Sequence, residues 1–214
     1  PKYIQLIDHT KKKSGFEVKT FIVNDRNTEM PLELVIAFTG SNEIVKDWIM
    51  TDFGTSKEQY LDALNYVKEL MNRKDINSIK FKKVVVTGHS LGGALAGYIT
   101  KNPDTSKFIN QAWLFNPSPR LKIDNRDVDS RFWLGSTTKD ALKLARRQNF
   151  LKIFPVEQRA TDFFLVSSNS IYAHYRWVAA RNILWAADLK YFKDGFPDNP
   201  AMELIQLGNF KVCK

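Results

Sequence analysis

The stretch from Val84 to Gly93 constrains the fold of this chain more than any other part of its sequence. It begins with three consecutive valines, which are typical of a buried strand because β-branched side chains pack well within a sheet. After Thr87 the residues read Gly88-His89-Ser90-Leu91-Gly92, and small and apolar residues then continue to Tyr98, which indicates a buried helix. A serine between two glycines at a strand-to-helix junction predicts a strained turn that presents the serine hydroxyl. Ser90 is therefore the candidate nucleophile. The backbone N–H of Leu91, at the start of the helix, is placed to stabilise an oxyanion.

Strand and helix patterns alternate along most of the remaining sequence. An alternating stretch over residues 16–22 and an apolar run over residues 34–38, separated by a polar turn, predict a hairpin that leads into a sheet. The alternation predicts an α/β protein with a mostly parallel central sheet flanked by helices, and the serine turn specifies the α/β-hydrolase fold. No repeat, linker or change of composition divides the chain, so residues 1–214 are expected to form a single domain. Further strands are predicted over residues 81–87, 113–115, 151–156 and 163–166, and helices over residues 56–71, 91–98, 140–148 and 171–189.

Composition and charge limit the other roles that the chain could have. Its 214 residues are 43% hydrophobic, which is enough for a buried core, and no apolar run is long enough for a transmembrane helix. No signal peptide is visible, so a cytoplasmic location and export by a leaderless route are both compatible with the sequence. Because Cys213 is the only cysteine, no intrachain disulfide or cysteine-based metal site is expected. The net charge of +9 favours anionic partners, but no nucleic-acid-binding motif accompanies it, so no nucleic-acid partner is expected.

A nucleophilic serine needs a base, and the sequence offers only three histidines. His89 is adjacent to Ser90, and its side chain is expected to leave the tight turn in another direction. His9 lies far upstream, whereas in this fold the chain order is serine, acid and then histidine. Elimination leaves His174, at the start of the last predicted helix, as the candidate base.

The acid of a triad is expected between Ser90 and His174, near the carboxyl end of a strand. Asp162 follows the predicted strand over residues 151–156 after a short polar turn and is the preferred candidate. Glu157, which ends that strand directly, is the alternative. The remaining aspartates are interpreted as solvated charges of a polar loop or as the start of a helix; they are Asp124, Asp127, Asp129 and Asp140.

Several segments together resemble the class 3 (fungal-type) lipases and their bacterial relatives. Val84 to Gly93 is similar to the nucleophile region of that family, and Val35 to Ser41 is similar to its strand and oxyanion loop. Asp47-Trp48-Ile49 resembles a family motif of Asp or Asn followed by Trp, and Leu114 to Arg120 resembles a strand end that reads Gly-Ser-Pro-Arg. The resemblance covers about residues 33–120 closely and the rest only by the order of elements.

The resemblance implies that Ser41 supplies a second oxyanion contact, opposite that of Leu91. It also implies that residues 42–53 border the mouth of the active site. The apolar residues there are expected either to contact acyl chains as a lid or wall, or to pack a short helix on the core; the candidate substrate-binding residues are Ile44, Trp48 and Ile49. Two departures stand out: Thr39 replaces the usual arginine, and the usual Asp-Pro-Val around the acid is absent.

The function expected from these observations is hydrolysis of a lipid ester, as by a lipase or phospholipase A, through an acyl-enzyme on Ser90 and without a cofactor or metal. The alternatives are a soluble short-chain carboxylesterase or thioesterase and a catalytically inactive membrane-binding module. Peripheral contact with an anionic membrane is a further hypothesis, and the oligomeric state is left open. The basic residues considered for that contact are Lys139, Lys143, Arg146, Arg147 and Lys152.

Overall fold

The computed structural model describes residues 3–40, 55–118, 129–137, 160–163, 175–181 and 183–184. Within these residues, seven strands form a single sheet whose spatial order follows the order of the chain. The first strand pairs with the second and the second with the third in antiparallel fashion, and every pairing from the third strand onward is parallel. The strands are β1 (Ile4–Lys11), β2 (Glu17–Asn24), β3 (Pro31–Phe38), β4 (Lys83–His89), β5 (Gln111–Phe115), β6 (Phe132–Thr137) and β7 (Ala160–Phe163).

Among the described residues, helices connect β3 to β4 and β4 to β5 and pack on the sheet. The helix after β4 contacts β3, β4 and β5, and it also contacts the long helix that precedes β4. Its buried residues, such as Leu95 and Ile99, pack against strand residues such as Ile36, Val86 and Leu114 in one hydrophobic core. The helices are α1 (Thr55–Asn72), α2 (Lys74–Asn77) and α3 (Leu91–Lys101), with a 3₁₀ helix at Ser106–Phe108 and helical residues at 176–181 and 183–184.

The predicted α/β fold with a mostly parallel sheet and an N-terminal hairpin is confirmed. The predicted hairpin corresponds to β2 and β3, but β1 adds a further strand outside it that the sequence interpretation did not separate. The strand predicted over residues 163–166 begins earlier than expected, since β7 spans Ala160–Phe163. The strand predicted over residues 151–156 and the helix predicted over residues 140–148 lie outside the described residues.

Strand β6 was missing from the sequence interpretation. Its first residue, Phe132, is fully buried, and Trp133 stacks on Trp113 of β5 with ring centroids 4.7 Å apart. A cross-strand aromatic pair of this kind stabilises a sheet, but only the pairing of the two strands brings the rings together. The polar residues on either side of this short segment concealed it in the sequence.

An ionic cluster fixes the start of β6 to the end of α3. Asp129 accepts hydrogen bonds from Arg131 Nε at 3.0 Å and Nη2 at 2.7 Å, and Lys101 Nζ lies 3.4 Å from the same carboxylate. Arg131 also donates to the Ser106 carbonyl at 2.9 Å. Burial of Asp129 would by itself raise the pKa of its carboxyl, but the hydrogen bonds from Arg131 and the charge of Lys101 outweigh it and lower the pKa to about 2.

We expect Asp129→Asn to lower the free energy of unfolding at pH 7 by about 2 kcal/mol. Because the folded-state pKa of Asp129 lies below its unfolded value, this contribution is complete above about pH 5 and is lost as the pH falls through about 2. Urea unfolding of the wild-type protein and of Asp129→Asn at pH 7 and pH 3 measures this contribution. The difference between their free energies of unfolding is expected to be smaller by roughly half at pH 3. The matched control is Asp104→Asn, which removes the exposed ion pair with Lys68 and is expected to change stability little. An Asp129→Asn gap of the same size at both pH values would contradict the assignment.

Candidate active site

The predicted nucleophile turn is present at the carboxyl end of β4. The strand ends at His89, Ser90 is the N-cap residue of α3, and the helix begins at Leu91. Ser90 has φ 56° and ψ −122°, a conformation that non-glycine residues seldom adopt. Such backbone strain is found where a catalytic group must be held in one direction, and here it agrees with the turn expected from the sequence.

Two glycines let the strand, the turn and the helix approach one another closely. A Cβ atom on Gly88 would collide with the backbone of Gly92, and a Cβ atom on Gly92 would collide with the carbonyl of Phe38. Backbone therefore packs directly on backbone at this point, and β3 lies against the start of α3. This is the steric role that the spacing of the two glycines indicated.

The end of β5 holds the backbone of Ser90 in place. The Ser90 N–H donates to the Phe115 carbonyl at 3.0 Å, and the Ser90 carbonyl accepts from the Ser118 N–H at 2.9 Å. Asn116, between them in the chain, is fully buried with φ 42°, and its amide Nδ2 donates to His89 Nε2 at 3.5 Å. These contacts fix Ser90 from both sides and direct the His89 ring towards the end of β5.

The candidate oxyanion pocket borders the serine on its β3 side. Leu91 is buried in the first turn of α3, where backbone N–H groups have no acceptor within the helix and carry partial positive charge. Gly40, two residues beyond the end of β3, is so close that a Cβ atom on it would lie 2.5 Å from the His89 carbonyl and 3.4 Å from Ser90 Cβ. Gly40, which directly precedes Ser41 in the chain, is thus the last described residue on this side of Ser90.

The other predicted site residues are described only in part. The backbone of Asp162 lies in β7, paired with Ser136 of β6, rather than in a loop after a strand as the sequence indicated. His174 lies outside the described residues, one position before a described segment that turns into helix, in agreement with the helix predicted there. The remaining candidates also lie outside the described residues; they are Ser41, Ile44, Trp48, Ile49 and Glu157.

Strand register gives the position of Asp162 relative to Ser90. His89, Phe115, Gly135 and Thr161 occupy one row across β4, β5, β6 and β7. Asp162 therefore lies one residue beyond this row, as Ser90 does, at the carboxyl edge of the sheet. Three strand intervals separate β4, which leads to Ser90, from β7, which contains Asp162; at the usual strand spacing this is about 14 Å. Strands β5 and β6 lie between them, and β6 is the strand that was not predicted.

Sequence reasoning did not assign roles to Gly40, Asn116 and Ser118. The signals were present: a glycine shortly after an apolar strand, and a polar run of Asn-Pro-Ser-Pro directly after β5. No group of His, Cys, Asp or Glu side chains within the described residues is arranged to hold a metal ion. Among the described helices, none combines the length and apolar character needed to span a membrane.

A mostly parallel sheet with a serine in a strained strand-to-helix turn between glycines defines a protein of the α/β-hydrolase class. The chain matches the sequence profile of the phospholipase-like family, described as a Tle-like phospholipase domain, over residues 4–116, just over half of its length. It therefore belongs to the phospholipase-like family. No relative among the curated proteins matches it.

Solved structures of lipases and an esterase are similar to parts of the chain. The crystal structure of M37 lipase is 15% identical over 64% of this chain, with a TM-score of 0.40. Lip2 lipase from Yarrowia lipolytica is 13% identical over 69% of the chain, with a TM-score of 0.43. Brefeldin A esterase, a bacterial homologue of human hormone-sensitive lipase, is 18% identical over 54% of the chain, with a TM-score of 0.32. The matches cover 55%, 64% and 40% of those chains, less than two thirds in each case.

Proposed function

We propose that this protein hydrolyses carboxylic esters of lipids, in the manner of a lipase or phospholipase A, through an acyl-enzyme on Ser90. The observation that carries the proposal is the strained conformation of Ser90 at the start of α3, in a chain that belongs to the phospholipase-like family. Strain of this kind has a cost of about 1–3 kcal/mol, and a fold retains it where the geometry of one side chain matters. We further propose that the chain is related more specifically to the class 3 lipases, because several of its segments resemble theirs.

In the proposed first step, Ser90 Oγ attacks the carbonyl carbon of the ester while His174 takes its proton. The carbonyl oxygen becomes an oxyanion, which accepts hydrogen bonds from the backbone N–H groups of Leu91 and Ser41. The tetrahedral intermediate collapses, the bond to the leaving alcohol breaks, and His174 gives its proton to that alcohol. Asp162 holds the imidazole in the required orientation and stabilises its positive charge.

In the second step, water cleaves the acyl-enzyme. His174 takes a proton from the water as its oxygen attacks the acyl carbon, and the same N–H groups hold the second oxyanion. Collapse of this intermediate returns the proton to Ser90 Oγ and releases the fatty acid. We also propose that the acyl chain of the substrate contacts a wall formed by Ile44, Trp48 and Ile49.

The test compares aggregated and soluble substrates. We expect the wild-type protein to hydrolyse phospholipid vesicles, measured as released fatty acid, and to hydrolyse a short-chain nitrophenyl ester more slowly. Ser90→Ala provides the blank for both assays, because it removes the nucleophile and leaves Cβ in place. Activity on the soluble ester that does not increase with lipid aggregation would favour a soluble carboxylesterase or thioesterase instead. Vesicle binding without hydrolysis of either substrate would favour the inactive membrane-binding module.

A further inference from the structure

The directions of the strands place the turn between β1 and β2 at the same edge of the sheet as Ser90. Strands β1 and β3 are both antiparallel to β2, so they run in the same direction, and β3 is parallel to β4. The carboxyl ends of β1, β3 and β4 are Lys11, Phe38 and His89, and all three therefore lie at one edge. The Thr39 N–H donates to the Glu17 carbonyl at 2.9 Å, which links the start of β2 to the chain entering the candidate oxyanion pocket. Three strand intervals, about 14 Å, separate β1 from β4.

Three consecutive lysines, Lys11, Lys12 and Lys13, lie at this edge, and all three are exposed. We refer to them as the lysine turn. Lys11 lies 3.3 Å from the Glu17 carboxylate but is 65% exposed, and Lys12 donates to Asp62 at 3.0 Å. Lys13 makes no ion pair with any residue that the structure describes. The lysine turn thus carries more positive charge than its neighbouring carboxylates neutralise.

The segment that carries the lysine turn is held against α1. Ser14 Oγ donates to Asp62 at 2.6 Å, and Gln59 Nε2 donates to the Ser14 carbonyl at 2.8 Å. Gly15 adopts φ 83°, which allows the chain to reverse directly after these contacts. Because the backbone is fixed in this way, the lysine side chains remain at the edge of the sheet that contains the nucleophile.

We propose that the lysine turn binds the anionic headgroup surface of a phospholipid bilayer and thereby brings the edge that carries Ser90 against the membrane. The inference rests on the proposed function, because an enzyme that cleaves bilayer lipids must present its nucleophile to the bilayer. Anionic headgroups attract lysines at the membrane surface, and the net charge of +9 adds long-range attraction of the same sign. The lysine turn lies within the described residues, in contrast to the basic segment over residues 139–152 that the sequence had suggested.

Vesicle flotation in a Ser90→Ala background tests this without lipid turnover. The vesicles are phosphatidylcholine alone or phosphatidylcholine with about 30% phosphatidylglycerol. We expect the parent protein to bind only the anionic vesicles and to be released as salt rises from about 0.1 M to 0.5 M. Lys13→Glu, which reverses a charge without removing a described contact, is expected to lower the partition coefficient about tenfold.

The matched control is Lys80→Glu. Lys80 is also exposed but lies shortly before β4, at the opposite edge of the sheet, so its reversal is expected to change binding less than about twofold. A second pair compares the triple replacement of Lys11, Lys12 and Lys13 by Gln with that of Lys74, Lys80 and Lys82. Equal losses at the two edges, or equal binding to neutral and anionic vesicles, would overturn the inference.

The two proposals fail in different ways. If wild-type protein hydrolyses lipid esters but Lys13→Glu binds anionic vesicles as well as its parent, the lysine turn is not the membrane contact and the enzymatic proposal stands. If Lys13→Glu weakens binding and Lys80→Glu does not, but the wild-type protein hydrolyses no ester, the docking surface stands and the enzymatic proposal fails.

Discussion

Replacing Ser90 with alanine is expected to lower kcat for phospholipid hydrolysis by about 10⁶-fold, to the level that binding and the oxyanion contacts alone provide. The substitution removes the oxygen atom on which the proposed acyl-enzyme forms, whereas the backbone N–H of Leu91 and the helix behind it remain. Stability is expected to change little, because alanine has the same Cβ as serine and meets the same strain at φ 56°. Steady-state release of fatty acid from phospholipid vesicles measures the effect.

The control for this prediction is Ser78→Ala, which removes an exposed serine that follows α2, before β4. It is expected to leave kcat unchanged within about twofold. A second measurement traps the intermediate: a serine-reactive phosphonate ester is expected to label wild-type protein at Ser90 and to leave Ser90→Ala unlabelled. Full activity in Ser90→Ala would remove Ser90 as the nucleophile, and labelling at another serine would identify its replacement.

The nucleophile turn was predictable because local sequence determines it. A valine-rich strand, glycines at fixed spacing and a small-residue helix each favour the same geometry, and the collisions that Gly88 and Gly92 avoid are the reason for the spacing. The hydrophobic core was predictable for the same reason, because apolar runs are typical of central strands. Leu34, Ile36 and Val86, which belong to such runs, are fully buried.

What sequence reasoning missed depends on contacts between distant segments. Strand β6 is stabilised by the stacking of Trp133 on Trp113 and by the contact of Arg131 with Ser106, neither of which a local pattern can reveal. The same limit applied to Asn116, whose buried position beside His89 follows from the close approach of β4 and β5. Local patterns give elements, but the lateral order of strands needs long-range pairing.

The missed strand matters most for the triad acid. A serine, a histidine and a carboxylate joined by two hydrogen bonds span roughly 8 Å from hydroxyl to carboxylate oxygen. Asp162 lies three strand intervals from β4, about 14 Å between backbones, so extended side chains at both ends are needed to close the triad. Strand β6 is only two intervals from β4, about 10 Å, and Asp140 follows its last residue by three positions in the sequence. The triad proposed with Asp162 therefore has a specific competitor, in addition to Glu157.

Replacing Asp162 with asparagine is expected to lower kcat by about 10⁴-fold with little change in KM, because asparagine keeps the shape but cannot hold the imidazole in its productive tautomer or stabilise its charge. The matched replacements Asp140→Asn and Glu157→Gln are expected to stay within about threefold of wild type. Hydrolysis of a soluble nitrophenyl ester measures all three without the influence of vesicle binding, and thermal unfolding followed by circular dichroism verifies that each variant is folded. If Asp140→Asn alone loses activity, Asp140 is the acid. The triad then uses the strand closer to β4, since β6 is two intervals away and β7 is three. A large loss of activity in Glu157→Gln alone would instead identify Glu157, which precedes β7 in the chain, as the acid.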